Sequence, residues 1–192
     1  MMAAESGSET TMRTKNDDPR VWIGCLSCYN DGTLVGEWFD ADKAGDVTVQ
    51  QVHGNDDNSR QTHEELQVMD HENFWGLLDW GQCSPREAQR IAEILLELSD
   101  DNEREAFGAY VDNHGKNNID EDTLEDFCMS YRGVYESEED YARQLAEDTG
   151  GIADYSVWPL SCIDWKDAAD ELFRYGDEWS YTGTSGIHVF SA

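Results

Sequence analysis

The chain has 192 residues, of which 39% are hydrophobic and 11% aromatic, so it carries enough apolar side chain for a core and too much for a disordered polymer. Its 42 acidic residues outnumber 13 basic ones and give a net charge of −29, which repels nucleic acid and anionic membranes and attracts basic surfaces. The sequence has no run of about 18 apolar residues, and its N-terminus lacks the apolar core of a signal peptide. We therefore expect a folded, soluble, cytoplasmic protein that binds neither nucleic acid nor membrane directly.

The N-terminal part of the chain predicts a polar tail followed by a β-hairpin. Residues 1–19 are rich in Ser, Thr and Asp without periodicity, which is typical of a disordered tail. Two β-branched and aromatic runs then flank Asn30-Asp31-Gly32, whose residues tolerate the positive φ of tight turns. The hairpin opens a predicted α+β domain over residues 20–82, where "ELQVMDHEN" offers a further strand and "DVTVQQV" is compatible with strand or helix.

The cysteines favour reduced thiols over a disulfide framework, because they are five in number and no secretion signal precedes them. Cys25 and Cys28 have the spacing of a metal-ligand pair, but the other three cysteines are single and no two histidines stand three to five residues apart. If both thiols lie in a strand, they point to opposite faces. We therefore expect no metal site and no cofactor.

Residues 83–115 predict a small helical domain. Ser84 stands at an N-cap position and Pro85 at the first helical position. A second helix follows in "DDNEREAFGAYVDN" and is broken at Gly115. The apolar stripe of the first helix recurs at helical spacing: Ala88, Ile91, Ala92, Leu95 and Leu98.

Residues 116–192 predict a C-terminal domain that mixes helices and strands. A helix is expected over residues 137–149, because Ser137 and Asp140 form a capping-box pattern and a Gly-Gly pair supplies a stop. Its inward face is expected to consist of Tyr141, Ala142, Leu145 and Ala146. Two short β runs, "WSYTG" and "GIHVF", follow near the end of the chain.

The helix at 137–149 carries more negative charge than its own stability explains. Glu147 and Asp148 fall in its last turn, where the helix dipole disfavours anions. The surplus extends along the chain, with net charges of −9 over residues 20–82, −5 over 83–115 and −13 over 116–192. Because the charge follows every predicted domain instead of a tail, we infer a surface adapted to a basic partner.

We find no catalytic motif in the sequence. It contains no Gly-rich phosphate loop, no nucleophile elbow and no His-Glu-x-x-His motif. The stretch 112–123 resembles a calcium loop, but Lys116, Asn117 and Thr123 occupy positions that need a ligand, a Gly and a bidentate Glu. We expect no catalytic residues and no enzyme activity, with a carboxylate hydrolase as a minor alternative.

Five stretches together resemble the antirestriction protein ArdA family: "YNDGTLVGEWFD", "MDHE", "LAEDTGG", "IDWKDAADEL" and "SGIHVF". The resemblance covers residues 20–190. It implies an elongated, three-domain α+β protein that forms a homodimer and mimics the shape and charge of bent B-form DNA. It further implies that the protein is carried on mobile genetic elements and blocks Type I restriction-modification enzymes. An acidic binding module for another basic DNA-binding protein is the alternative function.

The resemblance implies that carboxylates stand where the phosphate oxygens of DNA would lie. Since duplex DNA carries one negative charge per roughly 1.7 Å of axis, a net charge of −29 corresponds to about 50 Å of duplex. The candidate phosphate-mimic acids are Asp120, Glu121, Asp122, Glu125, Asp126, Glu136, Glu138, Glu139, Asp140, Glu147, Asp148, Asp164, Asp167, Asp170 and Glu171.

Overall fold

The chain folds into two compact α+β units, each containing one small antiparallel sheet, so the predicted fold class is confirmed. Unit 1 holds the described residues up to Phe74 together with Leu78–Asp101, and unit 2 holds Trp75–Leu77 and Asn102–Ala192. The division into three domains stays a prediction, and most of the predicted N-terminal tail lies outside the described residues. The computed structural model describes residues 17–54, 63–78, 83–115, 119–150, 157–158 and 160–192.

Unit 1 is built on a three-stranded sheet with β1 (Arg20–Cys25) at its centre. The strands β2 (Gly36–Asp40) and β3 (Leu66–Glu72) pair with it on either side, both antiparallel. Val21 and Ile23 of β1 are fully buried, which places the core of the unit on this strand. The predicted pairing of β1 with β2 and the predicted strand in "ELQVMDHEN" are both confirmed.

The connection between β1 and β2 differs from the predicted tight turn. The first strand ends at Cys25, and a helical turn, α1 (Leu26–Asn30), follows it. Asp31 N–H donates to the Ser27 carbonyl at 3.1 Å, so a local helical bond replaces strand pairing for these backbone groups. The expectation that Cys25 and Cys28 share one strand was therefore wrong.

The ambiguous run "DVTVQQV" contains a short helix, α2 (Val49–His53). Its start is fixed by a reciprocal capping box: the Gln51 N–H donates to Thr48 Oγ1 at 3.3 Å, and the Thr48 N–H donates to Gln51 Oε1 at 2.8 Å. Val52 turns into the core of unit 1. Local capping thus selects helix over strand in a sequence whose apolar spacing fits both.

The helix α3 (Pro85–Glu97) matches its prediction closely. Ser84 Oγ accepts a hydrogen bond from the Glu87 N–H at 3.2 Å, and all five residues of the predicted apolar stripe are buried. The helix packs against a 3₁₀ turn at Ala41–Asp46. Gly45 permits this approach, because a Cβ atom there would lie 2.6 Å from Gln89 Oε1.

The described residues of unit 2 form four α-helices and the second sheet. The helices are α4 (Asp101–His114), α5 (Glu121–Ser130), α6 (Glu138–Gly150) and α7 (Trp165–Phe173). The strands are β4 (Tyr131–Tyr135), β5 (Glu178–Thr182) and β6 (Ile187–Ser191), arranged in the order β4-β6-β5 with antiparallel pairing throughout. The predicted β5–β6 pair is confirmed, whereas β4 had no clear signal in the sequence. The second Gly of the predicted Gly-Gly stop lies outside the described residues.

The core of unit 2 is aromatic, and its described residues include a buried, hydrogen-bonded histidine. Phe190 stacks on Trp179 with ring centroids 4.0 Å apart. The fully buried His188 lies between Tyr131, whose hydroxyl is 3.0 Å from Nδ1, and Glu105, whose carboxylate is 3.3 Å from Nε2. Burial raises the pKa of Glu105, but hydrogen bonds from Thr184 and from His188 outweigh burial and hold that pKa below its ordinary value. This acid therefore serves the fold of unit 2.

Candidate functional site

The helix α5 displays four carboxylates and no basic side chain. Its start is capped by Asp120, whose Oδ1 accepts a hydrogen bond from the Thr123 N–H at 3.0 Å. One face buries Phe127, and the four acids are exposed. Their spacing creates two like-charge pairs four residues apart, and each such pair costs an isolated helix about 0.2–0.5 kcal/mol. The four acids are Glu121, Asp122, Glu125 and Asp126.

The helix α6 begins as predicted, with the Ser137 hydroxyl accepting a hydrogen bond from the Asp140 N–H at 3.1 Å. Among the acids of its first turn, Glu138 has a structural role, because it accepts a hydrogen bond from the Ser180 hydroxyl at 2.7 Å. Glu147 and Asp148 are exposed in a last turn that contains no base. The last turn therefore contains no cation that could offset the unfavourable interaction of these two acids with the helix dipole.

The buried face of α6 attaches the helix to its neighbours in unit 2. Tyr141 contacts the ring of Phe173 in α7 with centroids 5.7 Å apart, and its hydroxyl donates to Glu178 at 3.1 Å. Burial and the adjacent Glu178 carboxylate raise the pKa of the Tyr141 phenol. Arg143, the only base of α6, lies over the ring of Trp165 in α7 at 5.6 Å. The two helices thus pack together within unit 2.

The acids of α7 divide into exposed and compensated groups. Asp164 caps the helix by accepting hydrogen bonds from the N–H groups of Lys166 and Asp167 at 3.1 and 3.3 Å. Asp170 lies between two cations, with Lys166 Nζ at 3.2 Å and Arg174 Nε at 3.0 Å. Its charge is largely balanced within the chain, so Asp170 is a weaker candidate for contact with a partner than the exposed acids of the same helix.

All fifteen predicted phosphate-mimic acids fall in unit 2, on or directly beside α5, α6 and α7, which we call the acidic helices. Ten of them are exposed and five are half-buried, so most of the set faces solvent and is accessible to a partner. The half-buried members are Asp120, Glu138, Glu139, Asp140 and Asp170.

A different group of side chains in unit 1 could hold a metal ion. Their four possible ligand atoms all lie within 4.8 Å of one another. The spacing rules applied to the sequence missed this group, because its histidines are ten positions apart and come together only through the fold. We call it the Cys/His cluster, and its members are Cys25, Cys28, His53 and His63.

The chain belongs to the ArdA family, described as antirestriction proteins, because the family model matches residues 21–184 and so covers most of the sequence. Membership implies an antirestriction function and an interaction with restriction enzymes, and the family is not one of known enzymes. No curated protein matches the chain. Within the described residues, every helix is too short or too polar to cross a bilayer.

Proposed function

We propose that the protein blocks a Type I restriction-modification enzyme by occupying the DNA-binding groove of that enzyme as a mimic of duplex DNA. The observation that carries the proposal is the outward surplus of carboxylates on the acidic helices. Family membership supplies the antirestriction role, and the charge surplus supports the way in which the role is carried out.

The charge density of the acidic helices is on the scale of a DNA strand. The α6 segment has a net charge of −4 and the α7 segment a net charge of −2, so the packed pair carries −6. The 13 residues of α6 span about 20 Å, and one strand of DNA carries roughly six phosphates over that distance. Two packed helices therefore match a single strand in charge per unit length.

The placement of these acids favours a partner over the fold as the reason for their presence. Like charges four residues apart in α5 and anions in the last turn of α6 both oppose helix stability. By contrast, Glu105 and Glu138 accept hydrogen bonds inside unit 2 and stabilise it. Acids of the first kind gain a favourable interaction when a basic surface approaches.

In this mechanism the negative field steers the protein to the basic groove, and binding excludes DNA without any catalytic step. The protein acts in the cytoplasm, where the restriction enzyme meets incoming DNA, and protects the mobile element that encodes it. A homodimer formed through residues 116–192 would double the length of the mimic. Sedimentation of the full chain at micromolar concentration should give twice the mass of one chain, and a monomer would exclude the dimer.

The test is cleavage of unmodified plasmid by a purified Type I enzyme in the presence of the protein. Competition predicts that inhibition is relieved when unlabelled duplex is added, and that it weakens as salt is raised from low ionic strength toward 1 M, where the screening length falls to about 3 Å. Inhibition that persists at saturating DNA would overturn the mimic. Binding to another basic DNA-binding protein without any effect on the Type I enzyme would favour the alternative module.

A further inference from the structure

The Cys/His cluster gathers side chains from three separate parts of unit 1. Cys25 is the last residue of β1 and the N-cap of α1, and Cys28 lies within α1. Because the chain turns into a helix at Cys25, the two sulfur atoms come to the same side instead of pointing to opposite faces of a strand. The turn that a two-cysteine metal ligand pair requires is therefore present.

The two histidines are brought to this turn by neighbouring elements. His53 is the last residue of α2, whose start is fixed by its capping box. His63 lies three residues before β3, and this approach to the sheet is held by the Leu26 N–H, which donates to the Glu65 carbonyl at 3.0 Å. Helix capping and sheet pairing thus help to place both imidazoles beside the sulfur atoms.

Three sulfur-to-nitrogen distances within the cluster are close to those of tetrahedral coordination. His63 Nδ1 lies 3.4 Å from each sulfur atom, and His53 Nε2 lies 3.9 Å from Cys28 Sγ. Zinc bonds of about 2.3 Å to sulfur and 2.0–2.1 Å to nitrogen at tetrahedral angles place sulfur and nitrogen roughly 3.6 Å apart. The observed separations bracket this value.

The contacts within the cluster share atoms, since His63 Nδ1 faces both sulfur atoms and Cys28 Sγ faces both imidazoles. A single Nδ1 atom of His63 faces two sulfur atoms at equal distance, and one ring nitrogen makes one good hydrogen bond. A disulfide would join the sulfur atoms, both of which are free thiols here, and would leave the imidazoles without a role. One divalent cation engages all four ligand atoms, and two thiolates neutralise its charge in a site where both cysteines are buried.

We propose that the Cys/His cluster is a structural zinc site. Two sulfur and two nitrogen ligands in tetrahedral geometry select zinc among the common divalent ions, and four protein ligands leave no open position for a substrate. The ion ties the end of β1 to the end of α2 and to His63, three residues before β3. The ion therefore stabilises unit 1, whereas the acidic helices belong to unit 2.

The first test is the zinc content of the full chain, purified without chelators. We expect about one zinc ion per chain in the wild-type protein and in Cys162→Ser, which removes an exposed thiol outside the cluster. Cys28→Ser should lower the zinc content at least tenfold. Equal zinc contents in the two variants, or none in the folded wild-type protein, would overturn the proposal.

The second test needs no variant and so does not depend on whether Cys28→Ser folds. The wild-type protein, stripped of metal and titrated with Co²⁺, should develop the thiolate-to-cobalt charge-transfer band and the intense visible bands of tetrahedral cobalt, saturating near one equivalent. Zinc should then displace the cobalt and raise the melting temperature. A weak octahedral spectrum would contradict the site.

Discussion

The helices α3 and α6 each have 13 residues, and each is capped at its start by the hydroxyl of a serine, yet they use their surfaces differently. In α3, five residues are buried, and three acids are set against two bases. In α6, only Tyr141 and Ala142 are buried, and five acids are set against one base. The sequence of α3 is thus explained by packing within unit 1, whereas that of α6 is explained only in part by packing within unit 2.

The difference separates charge that serves the fold from charge that serves a partner. The acidic and basic side chains on the outer face of α3 keep that face in contact with water, and their charges nearly cancel. The last-turn acids Glu147 and Asp148 of α6 and the like-charge pairs four residues apart in α5 oppose the stability of the helices that carry them. We infer that α3 can lose its charges with little effect on function, and that α6 cannot.

The largest expected effect follows from neutralising the six exposed acids of α5 and α6 together. Exposed ion pairs contribute about 0.2–1 kcal/mol each, so inhibition of the restriction enzyme should weaken roughly tenfold to 10⁴-fold, while any single change weakens it about two- to fivefold. Melting temperature should not fall, since like-charge repulsion is removed. Full inhibition by the folded six-fold variant would break the comparison. The changes are Glu121→Gln, Asp122→Asn, Glu125→Gln, Asp126→Asn, Glu147→Gln and Asp148→Asn.

The complementary change deletes a buried side chain from α3. Leu95 is fully buried, so Leu95→Ala should lower the free energy of unfolding by about 2–5 kcal/mol, as measured by urea denaturation. Inhibition per folded molecule should stay at the wild-type value. A loss of inhibition in protein that is still folded would show that α3 contributes to partner binding after all.

The third prediction tests whether acids that are hydrogen-bonded within unit 2 stabilise its fold. Glu105→Gln should lower the free energy of unfolding by about 1–3 kcal/mol at neutral pH, because hydrogen bonds to a charged acceptor are lost. The folded protein holds the pKa of Glu105 below its ordinary value, so this stability is present above pH of about 4.3 and is lost as the pH falls through the lower folded pKa. The difference between wild type and variant should therefore shrink on acidification.

The control for this change is Glu125→Gln in α5, which removes an exposed acid. Its free energy of unfolding should stay close to that of the wild-type protein from neutral to acidic pH. A pH-dependent loss of the same size in both variants would mean that net charge, and not the Glu105 hydrogen bonds, sets the acid stability of unit 2.

The smallest expected effect on inhibition is the difference between two double substitutions that remove the same charge. Glu147→Gln with Asp148→Asn in α6, and Glu93→Gln with Glu97→Gln in α3, each remove two exposed negative charges. The α6 pair should weaken inhibition roughly two- to thirtyfold, and the α3 pair less than twofold. Equal losses would show that net charge alone matters and that the helices do not differ in function.

Local signals in the sequence predicted the elements that local physics determines. Ser84 and Ser137 fixed two helix starts, and apolar spacing identified the buried stripe of α3. The strand β4 escaped prediction because it is short, half-exposed and interrupted by Gly133, whose φ of 114° leaves the extended region. Its place in the sheet depends on pairing with β6, which lies more than 50 residues away in sequence.

The candidate sites, like β4, could be predicted from the sequence only in part. The resemblance supplied the acids of the three helices as candidate phosphate mimics, but the sequence did not show that cations on both sides would compensate Asp170 or that Glu138 would accept a hydrogen bond from Ser180. The Cys/His cluster depends on a helical turn after β1 and on two histidines carried by other elements. Such contacts arise from tertiary structure, and the spacing of residues along the chain does not encode them.

DNA mimicry requires that the protein and DNA exclude one another on the restriction enzyme. The most direct measurement is the fluorescence anisotropy of a labelled duplex, containing the recognition site, that is bound to a Type I enzyme and titrated with the protein. Competition predicts that anisotropy falls to the value of free duplex, with a midpoint that rises in proportion to DNA concentration. Anisotropy that stays high or increases while cleavage is inhibited would reveal a ternary complex and contradict DNA mimicry.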